Sequence, residues 1–226
     1  VAVPARWRRV SEVWRADHPW GAFYDFVIEH EQVARVGWWV AMGSDVRLLH
    51  AAAEEIGRLP DGATVLDVPC GGGVALRGLR AGQRVRYLAA DISPAMLART
   101  AGNAAARGVR GVHRLQTDVA RLPLPDRSVD LCVSFTGLHC FPDPAAAVHE
   151  LARVLRPGGV LTGSAFLNDT GRRYDVMRRV GRATGLLGRS LSRQELSDWL
   201  APAFESVSLR TSGALVYFRA IRVSTS

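Results

Sequence analysis

The sequence predicts a doubly wound α/β domain with a mostly parallel sheet. From about residue 64 onward, short apolar segments of strand character alternate with segments of helical periodicity. A glycine-rich turn follows the first strand, and two apolar segments near the end of the chain predict a hairpin. Such alternation requires right-handed crossovers and places helices on both faces of the sheet.

Residues 1–60 are predicted to form an N-terminal helical cap on a core that spans residues 61–226. Apolar residues recur at helical spacing over residues 21–33 and 36–59, and Asp61-Gly62 ends this pattern. The chain has 226 residues, which is enough for one α/β domain with a full core.

The core elements follow in a regular order. Ser93-Pro94 and Asp143-Pro144 are typical helix starts, and Ser192 with Glu195 forms a capping-box pattern. The predicted strands are residues 64–68, 85–90, 112–116, 129–135 and 160–166, the last after a turn at 156–159. The predicted helices are 74–80, 94–107, 144–155 and 192–200, and the terminal hairpin joins 204–209 to 214–221.

The net charge of +8 comes from arginine alone, because the chain contains no lysine. A positive charge weakly favours anionic partners. No apolar run approaches the ~20 residues of a membrane span, and no apolar segment follows the N-terminal arginines as in a secretory signal. We therefore expect a cytoplasmic protein and leave peripheral membrane contact open. Cys70, Cys132 and Cys140 lack metal-ligand spacing and predict structural thiols, with no metal site.

Residues 168–190 form a predicted insertion after the fifth strand. It contains Arg172, Arg173, Arg178, Arg179 and Arg182 with apolar residues between them. These arginines could meet an anionic substrate, a lipid surface or RNA. We favour a solvated helix face, which is the ordinary place for such a run.

The first turn and two later acids carry the strongest functional signal. Residues 65–73 read Val-Leu-Asp-Val-Pro-Cys-Gly-Gly-Gly and join a strand to a helix, so the backbone can approach a ligand closely. Asp91 ends the second strand, where an acid can accept both hydroxyls of a ribose. Asp118 follows the third strand, where it could accept the amine of adenine while the Val119 N–H serves a ring nitrogen.

The acids also restrict the class of nucleotide ligand. A diphosphate beside Asp67 and Asp91 would bring like charges together, and Leu76 occupies the third glycine position of a G-x-G-x-x-G pattern. No G-x-x-x-x-G-K-[ST] loop exists for ATP. The ammonium and sulfonium of S-adenosylmethionine suit an acid-rich loop better.

Five stretches together resemble a class I S-adenosylmethionine-dependent methyltransferase of the ubiquinone/menaquinone-type, small-molecule branch. They are residues 65–73, 90–97, 117–119, 129–134 and 155–159, and their order and spacing agree over about residues 63–166. The resemblance implies the sheet order 3-2-1-4-5-7-6 with strand seven antiparallel. One departure is Pro69, which stands where the family usually has its first glycine; we expect an extended loop start there.

The resemblance also implies roles for individual residues. Asp67, Gly71 and Gly73 would line the methionine moiety, and Asp91 would hold the ribose. Ile92 would pack on the adenine, and Asp118 and Val119 would form hydrogen bonds with the edge of the ring. Phe135 would lie near the methyl group.

The acceptor is less constrained by the sequence. His139 follows the fourth strand and could act as a general base, or be a loop histidine near the pocket. The N-terminal aromatic residues could pack the helices or cover the acceptor, with Tyr24, Trp38 and Trp39 as candidate contacts. We expect in-line methyl transfer to a small apolar or aromatic acceptor such as a quinone, polyketide or lipid-like molecule.

Three other functions are weighed against this one. RNA methylation is supported by the charge, but Ser134-Phe135-Thr136-Gly137 differs from the [DN]-P-P-[YF] motif of base-amino methylation, so nucleic acid is disfavoured. The second alternative is a non-catalytic regulatory protein that binds an adenosyl ligand, and the third is a dehydrogenase.

Overall fold

The computed structural model describes residues 12–15, 31–188 and 191–224. Its centre is a seven-stranded sheet of order β3-β2-β1-β4-β5-β7-β6. All neighbouring pairs from β3 to β5 are parallel, and β7 runs antiparallel to both β5 and β6. The predicted sheet order and the antiparallel seventh strand are confirmed.

The strands have these bounds: β1 Thr64–Asp67, β2 Arg86–Asp91, β3 Val112–Gln116, β4 Val129–Phe135, β5 Leu155–Phe166, β6 Phe204–Ser212 and β7 Leu215–Arg222. The fifth strand begins five residues earlier than predicted, because Val129 already pairs with Leu155 before a register shift. The hairpin turn is likewise shorter than predicted, since Arg210 pairs with Tyr217 inside the ladder.

Six α-helices lie wholly within the described ranges: α1 Glu31–Met42, α2 Val46–Ala53, α3 Pro94–Ala106, α4 Pro144–Val154, α5 Asp175–Ala183 and α6 Arg193–Leu200. The predicted caps are present, because Ser93 accepts the Met96 N–H and Asp143 accepts the Ala146 N–H. Ser192 and Glu195 form the complete capping box.

Two predicted helices are wrong in detail. The single helix expected over 36–59 is two helices, since Gly43 has a φ of +62° and Asp45 caps α2 by accepting the Arg47 N–H. The helix expected over 74–80 is a short 3-10 helix, Val74–Gly78. Gly78 lies directly against Ala53, where a Cβ would come within 1.8 Å of the Ala53 oxygen.

The sheet separates two apolar layers. Alternate residues of a strand face opposite sides, so Leu66 packs in one cluster with α4 and α6 while Val65 packs in the other with α2 and α3. Both faces of the central strands are therefore covered by helices, as a parallel sheet requires. Among the described helices, none is long and apolar enough to cross a membrane.

Candidate functional site

A cavity of about 270 Å³ opens at the carboxyl ends of the central strands. One part of its wall is the turn after β1 together with the ends of β2 and β3. The other part is mostly apolar and comes from the ends of β4 and β5, from α5 and from the N-terminal segment. This position is where open α/β sheets bind their ligands.

Two side chains of α3 hold the glycine turn by hydrogen bonds to its carbonyl groups. Thr100 Oγ1 donates to the Gly71 carbonyl at 2.6 Å, and Asn103 Nδ2 donates to the Gly72 carbonyl at 2.8 Å. Gly71 has a φ of +50°, and a Cβ there would meet no atom within 4 Å, so its face toward the cavity is open. The turn thus combines a fixed backbone with free space above it.

A cis peptide bond joins Val68 to Pro69 at the entry to this turn. The ring packs against the loop after β4, where a Cβ on Gly137 would lie 2.2 Å from Pro69 Cδ. Only a glycine fits at position 137 without a shift of its neighbours.

Asp91 connects the end of β2 to the glycine turn. One carboxylate oxygen accepts the Gly71 N–H at 3.1 Å, and the other accepts the Ser93 N–H at 2.9 Å. The residue is 6% exposed and lines the cavity. Burial raises the pKa of Asp91, while the backbone N–H donors act in the opposite direction.

Asp67 has a different environment. It is 1% exposed, it is not part of the cavity wall, and Tyr87 Oη donates to its Oδ2 at 2.7 Å. Burial raises the pKa of Asp67 to about 7. Asp67 is therefore a buried acid beneath the turn, outside the cavity wall.

The end of β3 contributes one exposed acid and one buried apolar residue to the wall. Asp118 is exposed and accepts the Ala120 N–H at 2.9 Å, which caps the 3-10 helix Val119–Arg121. Val119 is buried, and its N–H is the first of that helix, a position without an intrahelical partner. Ile92, Asp118 and Val119 all line the cavity.

The apolar part of the wall includes two of the predicted residues, Phe135 and His139. His139 is 4% exposed, and its ring meets Phe166 edge-on at 4.6 Å between centroids. The Phe166 N–H donates to His139 Nδ1 at 3.3 Å, so the neutral ring carries its proton on Nε2. Burial lowers the pKa of His139 to about 3, which makes it a poor proton acceptor.

The aromatic residues of the cap differ from the prediction. Trp38 is 2% exposed and packs in the core, whereas Trp39 is 67% exposed, and neither lines the cavity. Adjacent residues of a helix face different directions, so the pair cannot share one surface. Tyr24 lies outside the described residues. Trp14 lines the cavity instead, and its Nε1 donates to the Leu186 carbonyl at 3.3 Å.

Arg178 corrects the expectation of a wholly solvated arginine face. It is 3% exposed, and its guanidinium bonds the Leu167 carbonyl at 3.0 Å, Asp175 at 2.7 Å and both oxygens of Thr170. It ties α5 to the chain that leaves β5. Arg172, Arg173, Arg179 and Arg182 are exposed.

Several cavity residues were not predicted from the sequence. Thr136 has a φ of +50° at the cavity wall, a rare conformation for a β-branched residue. Further unpredicted apolar residues of the wall come from widely separated parts of the chain and include Met42, Phe141, Phe166, Met177, Val180, Leu186 and Leu187. Their separation in sequence explains why no local pattern identifies them. Among the described residues, no group of three or more His, Cys, Asp or Glu is placed to hold a metal ion.

Comparisons with known proteins find similarity to methyltransferases. The family model described as "Methyltransferase domain" matches residues 66–162. The chain is 33% identical over 166 residues to the 2-methyl-6-phytyl-1,4-hydroquinone methyltransferase of Synechocystis, covering 73% of this chain and 49% of that protein. It is 35% identical over 127 residues to the malonyl-[acyl-carrier protein] O-methyltransferase of Serratia marcescens, covering 53% and 47%.

The chain therefore spans about half the length of these two curated relatives. Among solved structures, geranyl diphosphate methyltransferase has a TM-score of 0.63 at 16% identity, with 79% of both chains covered. At this identity the likeness concerns the fold.

Proposed function

Because the chain belongs to the class I S-adenosylmethionine-dependent methyltransferases, we propose that it transfers a methyl group to a small apolar acceptor. The observation that carries the proposal is a single cavity whose wall changes character along its length. One end has the glycine turn, Asp91 and Asp118, and the other is almost entirely apolar. Such a cavity suits a polar cofactor that presents its reactive group to an apolar molecule.

The residues present fit S-adenosylmethionine, the cofactor of the family. The open side of Gly71 leaves room beside the backbone, and Asp91 and Asp118 supply hydrogen-bond acceptors at the ends of neighbouring strands. We propose that Asp91 binds the ribose, that Ile92 packs on the adenine, and that Asp118 and the Val119 N–H bind its edge.

The methionine end of the cofactor is assigned to the turn itself. We propose that Gly71 and Gly73 line this part and that Asp67 acts from beneath, through the hydrogen-bonded turn. Asp67 lies buried at the end of β1, where the turn begins, and accepts a hydrogen bond from Tyr87. Direct contact with the ligand is not needed for this role.

The apolar end is assigned to the acceptor. When bound, the cofactor supplies an electrophilic methyl group, so the protein needs only to align the acceptor and exclude water, which can contribute ~7–11 kcal/mol. We propose that Phe135 lies near the reacting centre and that residues 168–190, with the N-terminal cap of residues 1–60, cover the acceptor. Met177 and Leu187 already line the wall from that segment.

His139 is proposed to orient the acceptor, not to remove its proton. Its Nδ1 is engaged by the Phe166 N–H, and the remaining Nε2–H can donate a hydrogen bond to an acceptor oxygen. If methylation requires the acceptor to lose a proton, that proton would pass to solvent water or to a basic group of the acceptor molecule itself.

The named acceptor of the Synechocystis relative, a phytyl hydroquinone, agrees with an apolar wall. We propose the same general class for this chain: a quinone, polyketide or lipid-like molecule. The proposal places the protein in the cytoplasm, which cell fractionation can test.

Two experiments test the proposal in sequence. Calorimetry should detect binding of S-adenosylmethionine but not of NADH, which separates a methyltransferase from a dehydrogenase. The protein is then incubated with a deuteromethyl-labelled donor and a cell extract, and the products are divided into apolar metabolites, RNA and protein before mass spectrometry. We expect label in the apolar fraction, and much less of it with an Asp91→Asn variant when the donor concentration is kept below the dissociation constant of that variant.

The other outcomes each decide between functions. Label in RNA alone would establish the RNA methyltransferase alternative. Tight donor binding without labelled product in any fraction would favour the regulatory alternative. Absence of donor binding would overturn the proposal.

A further inference from the structure

The exposed face of α5 combines apolar and basic side chains beside the mouth of the cavity. Val176 and Val180 are 69% and 56% exposed and lie one helical turn apart. Contiguous exposed apolar surface that is rimmed by polar residues commonly marks an interaction site.

Arginines surround these two valines. Arg179 and Arg182 are exposed on the same helix, and Arg172 and Arg173 are exposed just before it. Over residues 168–188 the chain has five arginines and two aspartates, and the buried Arg178 already pairs with Asp175. The accessible charge of this face is therefore strongly positive.

The opposite side of α5 faces the cavity. Met177 and Gly181 line it, and Val180 contributes to both surfaces. Arg178 fixes the helix by its bonds to Leu167 and Thr170, so the valines are held outward. The helix is thus a wall of the cavity, with Val176 on the solvent side and Val180 at the edge between the cavity and the solvent.

Helix α1 also exposes two large apolar side chains. Trp39 and Val40 are 67% and 69% exposed and lie within one turn of Gly43. Gly43 contacts the beginning of the α5 segment, since a Cβ there would collide with the Tyr174 hydroxyl.

We propose that this face of α5 docks on a membrane surface that contains anionic lipids. Arginine guanidinium groups attract acidic headgroups, and their aliphatic stems can remain among apolar groups. Val176 and Val180 would enter the headgroup boundary, as in helices that lie in the plane of a membrane. Docked in this way, the cavity mouth lies beside the lipid from which an apolar molecule could enter.

An RNA partner would use the charges but not the valines. Single-stranded RNA is bound by stacking on aromatic side chains, and duplex RNA by polar contacts to phosphates and hydroxyls. Two aliphatic side chains at the centre of the basic face are better accommodated by lipid.

Vesicle co-sedimentation tests this surface without any methyl transfer, so its failure is distinguishable from failure of the proposed function. The purified chain is mixed with phosphatidylcholine vesicles that contain phosphatidylglycerol, and with vesicles of phosphatidylcholine alone. We expect binding to the anionic vesicles that weakens as salt is raised. Arg179→Glu/Arg182→Glu and Val176→Asp/Val180→Asp should each reduce the partition coefficient by about tenfold or more.

Matched controls change the same residue types elsewhere. Arg110→Glu/Arg114→Glu alters the net charge equally at the opposite edge of the sheet, near β3, and Val207→Asp changes an exposed valine of β6. Both should bind vesicles nearly as the unchanged protein does. Circular dichroism and melting temperatures confirm that all variants are folded.

Several results would overturn the inference. These are failure of the unchanged protein to bind anionic vesicles, and equal loss of binding in the control variants. Loss of RNA binding in place of vesicle binding, or an altered oligomeric state of the α5 variants in light scattering, would assign the surface to a different partner.

Discussion

Asp91 accepts the Gly71 N–H at 3.1 Å, so a single carboxylate both fixes the glycine turn and faces the cavity. The end of β2 and the turn after β1 are therefore one unit. A change at Asp91 should affect the ligand directly and through the position of Gly71.

Asp91→Asn tests this unit. The amide keeps the size of the side chain but lacks the charge and one acceptor oxygen, and hydrogen bonds to charged groups are worth about 1.5–3 kcal/mol. We expect calorimetry to show S-adenosylmethionine affinity lowered by roughly tenfold to a hundredfold. Asp126→Asn, which changes an acid with 72% side-chain exposure, is the control and should leave affinity unchanged. Unaltered affinity in Asp91→Asn would refute the assignment.

Asp67 should lower the free energy of unfolding as the pH rises, which is opposite to the usual effect of an ion-paired carboxylate. Burial raises the pKa of Asp67 to about 7, so between about pH 4 and 7 the unfolded chain loses a proton that the native protein retains. The contribution of Asp67 to the free energy of unfolding therefore falls as pH rises. Relative to Asp67→Asn, which cannot ionise, the unchanged protein should lose up to about 4 kcal/mol over this range in urea denaturation.

Tyr87→Phe provides the companion measurement. The Tyr87 hydroxyl stabilises the ionised form, so its removal should raise the pKa of Asp67 further and move the transition to higher pH. If the free energies of unfolding of the unchanged protein and of Asp67→Asn differ by a constant amount from pH 4 to 8, the buried-acid interpretation is contradicted.

Gly137 should tolerate no side chain. In Gly137→Ala the added Cβ would lie 2.2 Å from Pro69 Cδ and 2.7 Å from Ser134 Oγ, and overpacking of this kind costs about 1–3 kcal/mol. Gly102→Ala is the matched control, because no atom lies within 4 Å of its Cβ and a helix interior gains about 0.5–1 kcal/mol from the exchange. Urea denaturation should show a lower free energy of unfolding for Gly137→Ala and a higher one for Gly102→Ala. Equal effects of the two changes would disprove the steric contact.

Arg178 and Arg179 are neighbours with different expected effects. Arg178→Leu leaves the Leu167 and Thr170 carbonyls without their donor, and unsatisfied buried groups cost about 1–3 kcal/mol each. Arg179→Leu removes an exposed side chain and should change the free energy of unfolding by about 0.5 kcal/mol or less. Hydrogen exchange should accelerate over residues 167–183 only in the first variant. Comparable stability of both variants would show that Arg178 does not fix the segment.

His139 should remain neutral at physiological pH. Burial lowers the pKa of His139 to about 3, so its ring resonances in NMR should not change between pH 8 and 5, and its proton should reside on Nε2. The unfolded chain takes up a proton below about pH 6.5, so His139 contributes stability that is lost as pH falls toward 3. His139→Gln assigns the resonances, and a protonation midpoint near neutrality would restore the general-base hypothesis.

The sequence predicts best those features that depend on neighbouring residues. The caps at Ser93, Asp143 and Ser192 are local hydrogen bonds between residues three positions apart, and all are present. The sheet order required the resemblance to a family, because strand neighbours such as β1 and β4 are far apart in sequence.

Features that depend on distant contacts were not predictable. Helical periodicity would bury the apolar pair Val176 and Val180, yet the structure buries Arg178, because backbone carbonyls from the end of β5 need its donors. Similarly, nothing near Trp14 indicates that it approaches Leu186, which is 172 positions away. Asp67 was assigned to the ligand by its motif, and its partner Tyr87 became visible only in three dimensions.

The two side chains of α3 that bind the Gly71 and Gly72 carbonyls bear on how a ligand would be received. Their bonds order the turn when the domain folds, so the conformational entropy of that backbone is lost before any ligand arrives. Association should then proceed onto a preorganised cradle with little rearrangement, and the free energy of binding is not reduced by the ordering of a flexible loop.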